Sequence, residues 1–121
     1  MKVLIVDDDP NTVQMIEDSI PWEEYGISEI FAAYHGQMAM EIIGKEEPDI
    51  VISDIEMPQM DGHRLLKLIK ETPAYKDIPV IIFSSLINED MRRKGEQLGA
   101  DAQLSKHEMA EFVKELDRVL A

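Results

Sequence analysis

The sequence predicts a three-layer α/β sandwich in which five parallel strands alternate with five helices. Three observations carry that prediction. Short, continuous, β-branched apolar runs recur along the chain, as strands covered on both faces require. The segments between them place apolar residues three and four apart, the period of a helix packed on one side. Capping and helix-stopping residues stand at the junctions, and strict alternation of the two element types implies right-handed crossovers within one sheet.

Residues 3–6, Val-Leu-Ile-Val, read as the first strand. Asp9-Pro10 suits an N-cap followed by proline in the first turn of a helix whose inner face is Val13, Ile16 and Ile20. Trp22 and Tyr25 are expected to cover the end of that helix. Residues 30–33 form the second strand, and Ala39, Ile42 and Ile43 mark the second helix. Residues 50–53 form the third strand. Asp61-Gly62 reads as turn and helix start for a helix carrying Leu65, Leu68 and Ile69, which Thr72-Pro73 stops. Residues 80–83 are the fourth strand. The fourth helix, residues 88–98, has only Met91 and Leu98 as apolar anchors around Arg92-Arg93-Lys94, so it is expected to dock least firmly before Gly99 caps it. Arg92-Arg93-Lys94 itself reads as a solvated face. Ala102-Gln103-Leu104 is polar enough for an edge strand, and Met109, Phe112, Val113, Leu116 and Leu120 form one stripe on the last helix.

The 121 residues suit a single domain spanning 1–121. A chain of this size can bury roughly 65 to 70% of its unfolded surface, so its core needs no disulfide or structural metal. It has no cysteine, which excludes thiol catalysis and cysteine-type zinc sites and fits a cytoplasmic location. No apolar run approaches the roughly 20 residues that span a bilayer, and no signal-type stretch precedes the first strand, so no membrane association is expected. With 25 acidic against 12 basic residues the net charge is -13, which repels nucleic acid and points to cations and cationic surfaces as partners.

In open parallel sheets chemistry gathers at the carboxyl ends of the strands, near the point where strand order reverses. The first strand there ends in Asp7-Asp8-Asp9 and the third in Asp54. If the two strands are neighbours, the carboxylates converge, and unit charges about 4 Å apart repel by on the order of 4 kcal/mol at an effective dielectric near 20. Such a cluster calls for a cation, and hard oxygen donors favour Mg²⁺ or Mn²⁺. Lys106 beyond the fifth strand and Ser84 at the end of the fourth would face the same pocket. Metal, ammonium and hydroxyl together suit the oxygens of a phosphoryl group. Asp9 reads as a helix cap, and His35, His63 and His107 share no metal-ligand spacing and read as surface histidines.

Asp7-Asp8, Asp54 with Met57-Pro58 and Met60-Asp61-Gly62, Ser84 and Lys106 together resemble, across essentially the whole chain, the signature of response-regulator receiver domains, the CheY-like superfamily. The resemblance implies a flavodoxin-like sheet of order 2-1-3-4-5. It implies that Asp54 accepts a phosphoryl group from the phosphohistidine of a sensor histidine kinase or phosphotransfer protein. Asp8, Asp54 and the backbone carbonyl of Glu56 would bind Mg²⁺ (or Mn²⁺), with Asp7 completing the metal site through metal-bound water. Lys106 would pair with the acyl phosphate, and Ser84 would turn inward to hydrogen-bond it. The result is a regulatory module rather than a turnover enzyme, read by a downstream protein at the face of the fourth helix, fifth strand and fifth helix.

The chain departs from that pattern at three places. Gln103 stands where the family usually has an aromatic residue, and His107 follows Lys106 where it usually has proline. A non-proline cis bond costs roughly 2.5 to 4 kcal/mol, so a trans Lys106–His107 bond is expected. Glu56 adds a carboxylate at the pocket rim, expected to compete for water or metal and alter the lifetime of the phosphoryl group; a Glu56→Asn chain that loses phosphate at an unchanged rate discards this. Trp22-Glu23-Glu24-Tyr25-Gly26 is similar to receivers joined to AraC-type DNA-binding domains, whereas Ser84-Ser85-Leu86 and Leu104-Ser105-Lys106 resemble receivers of CheV-type coupling proteins. Two other functions compete. Asp7-Asp8-Asp9 contains the Asp-x-Asp of a haloacid-dehalogenase-like phosphatase, which needs its nucleophile on the first strand and usually a cap domain that is not evident here. A receiver that only docks partners, without phosphorylation, is the other.

Overall fold

The computed structural model describes residues 1–57, 59–85 and 87–120. Pro58 and Leu86, to which the readings of Met57-Pro58 and Ser84-Ser85-Leu86 extend, lie outside the described residues. In chain order the elements are β1 (Lys2–Val6), α1 (Pro10–Ser19), a 3-10 turn (Trp22–Tyr25), β2 (Glu29–Ala33), α2 (Gly36–Glu46), β3 (Ile50–Ser53), α3 (Gly62–Glu71), β4 (Val80–Ser84), α4 (Glu89–Leu98), β5 (Ala102–Ser105) and α5 (Met109–Leu120). The strands form one parallel sheet of order β2-β1-β3-β4-β5. This is the expected three-layer arrangement, with β5 on an edge.

The period of two along each strand divides the core into two layers. Val3 and Ile5 of β1, Ile50 and Ile52 of β3, and Ile81 and Phe83 of β4 pack with α1 and α5 on one face. Leu4, Val6, Val51, Val80 and Ile82 pack with α2 and α3 on the other. The stripe on α5 delivers Phe112 and Leu116 into the first layer, where the Phe112 ring lies 4.6 Å from that of Phe83. Trp22 is buried in this layer, and its Nε1 donates to the Glu17 carbonyl at 3.1 Å, so it does close the end of α1.

The helix boundaries follow their capping chemistry. Asp9 caps α1 by accepting from Asn11 N, with proline at the first position, and Asp61 caps α3 by accepting from Arg64 N. Thr72 closes α3, and Gly99 ends α4 with φ +94°. Only Gly95 of α4 is buried, in keeping with its weak apolar pattern. Among the described residues no peptide bond is cis, so Lys106–His107 is trans, and no helix is long and apolar enough to cross a membrane.

Two of the histidine expectations need correction. His35 is half-buried, and its Nδ1 accepts from Met38 N to cap α2. His63, expected on the surface, is buried on α3, and its Nε2 has no hydrogen-bond partner among the described residues. The period of three and four around Leu65 and Leu68 does not reveal that α4 folds over the first turn of α3. Burial, reinforced by the Lys94 charge and only partly opposed by the Asp61 charge and by a backbone hydrogen bond with Met91, holds the His63 pKa below its ordinary 6.5. The unfolded chain therefore binds a proton at His63 that the folded chain refuses. This costs nothing above about pH 6.5 and destabilises the fold progressively as pH falls below it toward the lowered folded value. Replacing His63 with Leu is expected to remove that part of the acid sensitivity, seen as a flatter dependence of the urea midpoint on pH between about 7.5 and 5. An unchanged pH profile would show that other groups govern it.

Candidate functional site

Register explains why the two acidic strand ends meet. β1 and β3 are adjacent, with Val6 opposite Ser53, so Asp7 and Asp54 each stand one residue past that pair. The ladder continues into the loops: Asp54 N donates to Val6 O at 2.9 Å, and Asp7 N donates to Ala33 O at 3.0 Å. The strand order reverses here, since the chain leaves β1 for β2 on one side and returns to β3 on the other.

Asp7 and Asp54 are buried and Asp8 is exposed, and carboxylate oxygens of the three lie within 4.8 Å of one another. Each buried carboxylate has one oxygen held by backbone: Asp7 Oδ1 accepts from Asp9 N at 2.9 Å, and Asp54 Oδ1 accepts from Ile55 N at 2.7 Å. The other oxygens share one cation. Lys106 Nζ donates to Asp7 Oδ2 at 2.7 Å and to Asp54 Oδ2 at 3.2 Å, across 99 and 52 residues of sequence. Ser84 is buried at the end of β4, and its carbonyl accepts from Lys106 N at 2.9 Å, which ties the two loops together. Glu56 lies on the loop after β3 with its side chain exposed.

The charges do not balance locally. Burial and the nearby Asp54 charge lift the Asp7 carboxyl above its ordinary 3.8, despite the opposing hydrogen bonds from Lys106 and Asp9 N. Burial also works against the Lys106 ammonium, but its bonds to Asp7 and the charges of both aspartates outweigh it and raise its pKa. One ammonium among three carboxylates leaves net negative charge in a half-enclosed pocket. All donors there are hard oxygens, and they fit a small divalent cation such as Mg²⁺ or Mn²⁺ better than zinc.

Of the residues singled out from sequence, the structure brings Asp7, Asp8, Asp54 and Lys106 together, and Asp9 stays outside the group as a helix cap. The sequence reading missed the tight role of Gly62. Gly62 N donates to Ile55 O at 2.8 Å, and a Cβ on Gly62 would overlap the Asp54 carbonyl oxygen and stand 2.8 Å from Ile55 Cα. Only glycine lets α3 start so close to the residue that carries the central carboxylate. Gly62→Ala is expected to destabilise the chain by about 1 to 3 kcal/mol through overpacking against backbone, measured by urea unfolding, and to displace the Asp54 amide resonance. A neutral effect on both would contradict the close approach.

The comparisons with known proteins agree with this geometry. A gliding motility regulatory protein of Myxococcus xanthus is 36% identical over 109 residues, covering 90% of this chain and 14% of its own length. The response regulator PleD of Caulobacter vibrioides is 31% identical over 105 residues, 87% of this chain and 22% of its own length, so the chain corresponds to a minor part of both relatives. The solved structure of the chemotaxis response regulator CheY4 of Vibrio cholerae superposes with a TM-score of 0.83 at 30% identity, covering 98% of this chain and 97% of that one. These likenesses do not favour the phosphatase reading or a docking module without phosphorylation. The model of the response regulator receiver domain matches residues 3–117, and the chain belongs to that family.

Proposed function

We propose that the chain is a phosphoacceptor switch of a two-component system, in which Asp54 takes a phosphoryl group from a phosphohistidine of a sensor kinase or phosphotransfer protein. The observation that carries this is the meeting of Asp7, Asp8, Asp54 and Lys106 at one sheet end. A carboxylate is a weak nucleophile, but phosphoryl transfer depends mainly on alignment and charge neutralisation. Ile55 N holds Asp54 Oδ1, which fixes the plane of the carboxylate and leaves Oδ2 toward Lys106. As an Asp54 oxygen bonds to phosphorus, the phosphorus–nitrogen bond breaks and its electron pair stays on the imidazole.

Asp7, Asp8, Asp54 and the backbone carbonyl of Glu56 would hold Mg²⁺ (or Mn²⁺). Bound there, the ion would supply neutralising charge to the phosphoryl oxygens. Lys106 already pairs with Asp54 Oδ2 and would follow that negative charge onto the acyl phosphate. Ser84 would hydrogen-bond the phosphoryl group and shift the loop that begins there. Because an acyl phosphate is labile, the mark reverses without a second active site, and phosphorylation biases an equilibrium between two loop positions. A downstream protein in the cytoplasm would read the change on α4, β5 and α5.

The test is incubation with Mg²⁺ and acetyl phosphate, followed by intact mass and peptide mapping. A gain of one phosphoryl group on Asp54 is expected. Label on Asp7 would restore the first-strand phosphatase reading, and no label from acetyl phosphate together with no binding of beryllofluoride would leave only the docking module.

A further inference from the structure

The two buried side-chain polar atoms without a hydrogen-bond partner among the described residues are His63 Nε2 and Gln103 Oε1. Both belong to side chains that meet α4: His63 from α3, beside Met91 and Lys94, and Gln103 from β5. Buried orphans are rare enough that two under one helix call for an explanation.

Gln103 is the better defined of the two. Its neighbour Leu104 packs into the layer of α1 and α5, so alternation turns Gln103 to the opposite face of the sheet, under α4. It is 9% exposed. Its Nε2 donates to the Arg92 carbonyl at 2.8 Å, while Arg92 Nη1 donates back to the Gln103 carbonyl at 3.1 Å. Arg92 is exposed, as the solvated-face reading expects, and is also half of a reciprocal clasp between helix and edge strand. The fit depends on Gly95, the one buried residue of α4: a Cβ there would overlap Gln103 Oε1 and lie 2.5 Å from its Cδ.

We propose that Gln103 is a polar latch that sets how readily α4 leaves β5. The clasp supplies direction, because its bonds form in one register only, with the Gly95 notch over the carboxamide. The orphan Oε1 supplies reversibility. Lifting α4 breaks the Nε2 bond but admits water to both amide atoms, so the released position regains hydration that the latched one lacks. With only Met91 and Leu98 of α4 packed, partly buried, against the core, its seating rests on this balance as well as on burial. The inference stands whether or not Asp54 is the phosphoacceptor.

The test is amide hydrogen exchange on the whole chain, comparing wild type with Gln103→Met, which keeps the length and approximate volume of the side chain without its amide. Gln97→Met, on the exposed side of α4, is the control. Gln103→Met is expected to speed exchange across residues 91–98 about tenfold while the amides of β1 and β3 and the control stay at wild-type rates. NMR of the wild type should show the Gln103 carboxamide protons protected from solvent, and Gly95→Ala should abolish that protection by filling the notch. Unchanged α4 exchange in Gln103→Met, or carboxamide protons exchanging like those of a surface glutamine in the wild type, would overturn the latch. Accelerated exchange throughout the sheet would overturn it as well, since that would mark general loss of stability.

Discussion

Asp54→Asn is expected to abolish covalent labelling by acetyl phosphate, to below about a thousandth of the wild-type extent, without unfolding the chain. The chemical ground is that an amide oxygen cannot form a stable acyl phosphate under these conditions. The structural ground is that the substitution disturbs little else. Asparagine has the same shape, and its carbonyl can still accept from Ile55 N, as Asp54 Oδ1 does at 2.7 Å. Lys106 keeps its shorter bond, 2.7 Å to Asp7 Oδ2. Removing one of three crowded carboxylates also relieves repulsion, so the change in stability without metal should stay within about 1 kcal/mol. Intact mass after incubation with Mg²⁺ and acetyl phosphate reads the first effect, and urea unfolding reads the second. Asp7→Asn is the necessary contrast: it should lower the rate while label still accumulates on Asp54. Label persisting in Asp54→Asn would move the acceptor elsewhere.

What could be read in the chain beforehand follows from the range of the forces involved. The strand runs, the Asp9-Pro10 and Thr72-Pro73 boundaries and the Gly99 cap are local signals, decided by residues within a turn of one another. The pocket was legible for another reason. A parallel sheet places the carboxyl ends of its strands on one edge, so acidic residues that directly follow apolar runs must gather there once β1 and β3 are adjacent. His63, Gly62 and the Arg92 part of the clasp were not legible. Each depends on which helix lies over which, and on how closely: α4 over His63 and Gln103, and α3 starting against the Asp54 carbonyl. A histidine at a helical position and a glutamine in an edge strand carry no mark of their future neighbours. Lateral packing is settled only when the whole fold is assembled.

Lys106→Met tests the electrostatics of the pocket directly, and its effect is expected to depend on pH and on divalent cation in opposite senses. Lys106 is 15% exposed, and its partners Asp7 and Asp54 are 3% and 6% exposed, so these are ion pairs largely shielded from water. Methionine keeps the stem and removes the charge, leaving two neighbouring buried carboxylates with no cation between them. Breaking such a pair costs roughly 3 to 5 kcal/mol, and the exposed Asp8 side of the pocket should place the loss near the lower figure, about 3 kcal/mol at neutral pH without metal. The sign of the pH dependence follows from Asp7. Its folded pKa already lies above 3.8, so its protonated form is favoured by folding, and that contribution is present at low pH and lost as pH rises through the folded value. Without Lys106 the folded value rises further, because one of the groups that lowers it is gone. The stability deficit of the variant should therefore shrink as the solution is acidified from neutrality. Mg²⁺ should also shrink it, and should stabilise Lys106→Met more than wild type, since the ammonium and the ion neutralise the same carboxylates and compete; saturation at about 100 times the dissociation constant adds about 2.7 kcal/mol. The two remedies are separable, because acid works by protonating the site that the ion needs. Urea midpoints for both proteins, across pH and with or without Mg²⁺, check this. Equal stabilisation of both proteins by Mg²⁺ would mean that Lys106 and the ion act on different charges, and the shared pocket would have to be redrawn.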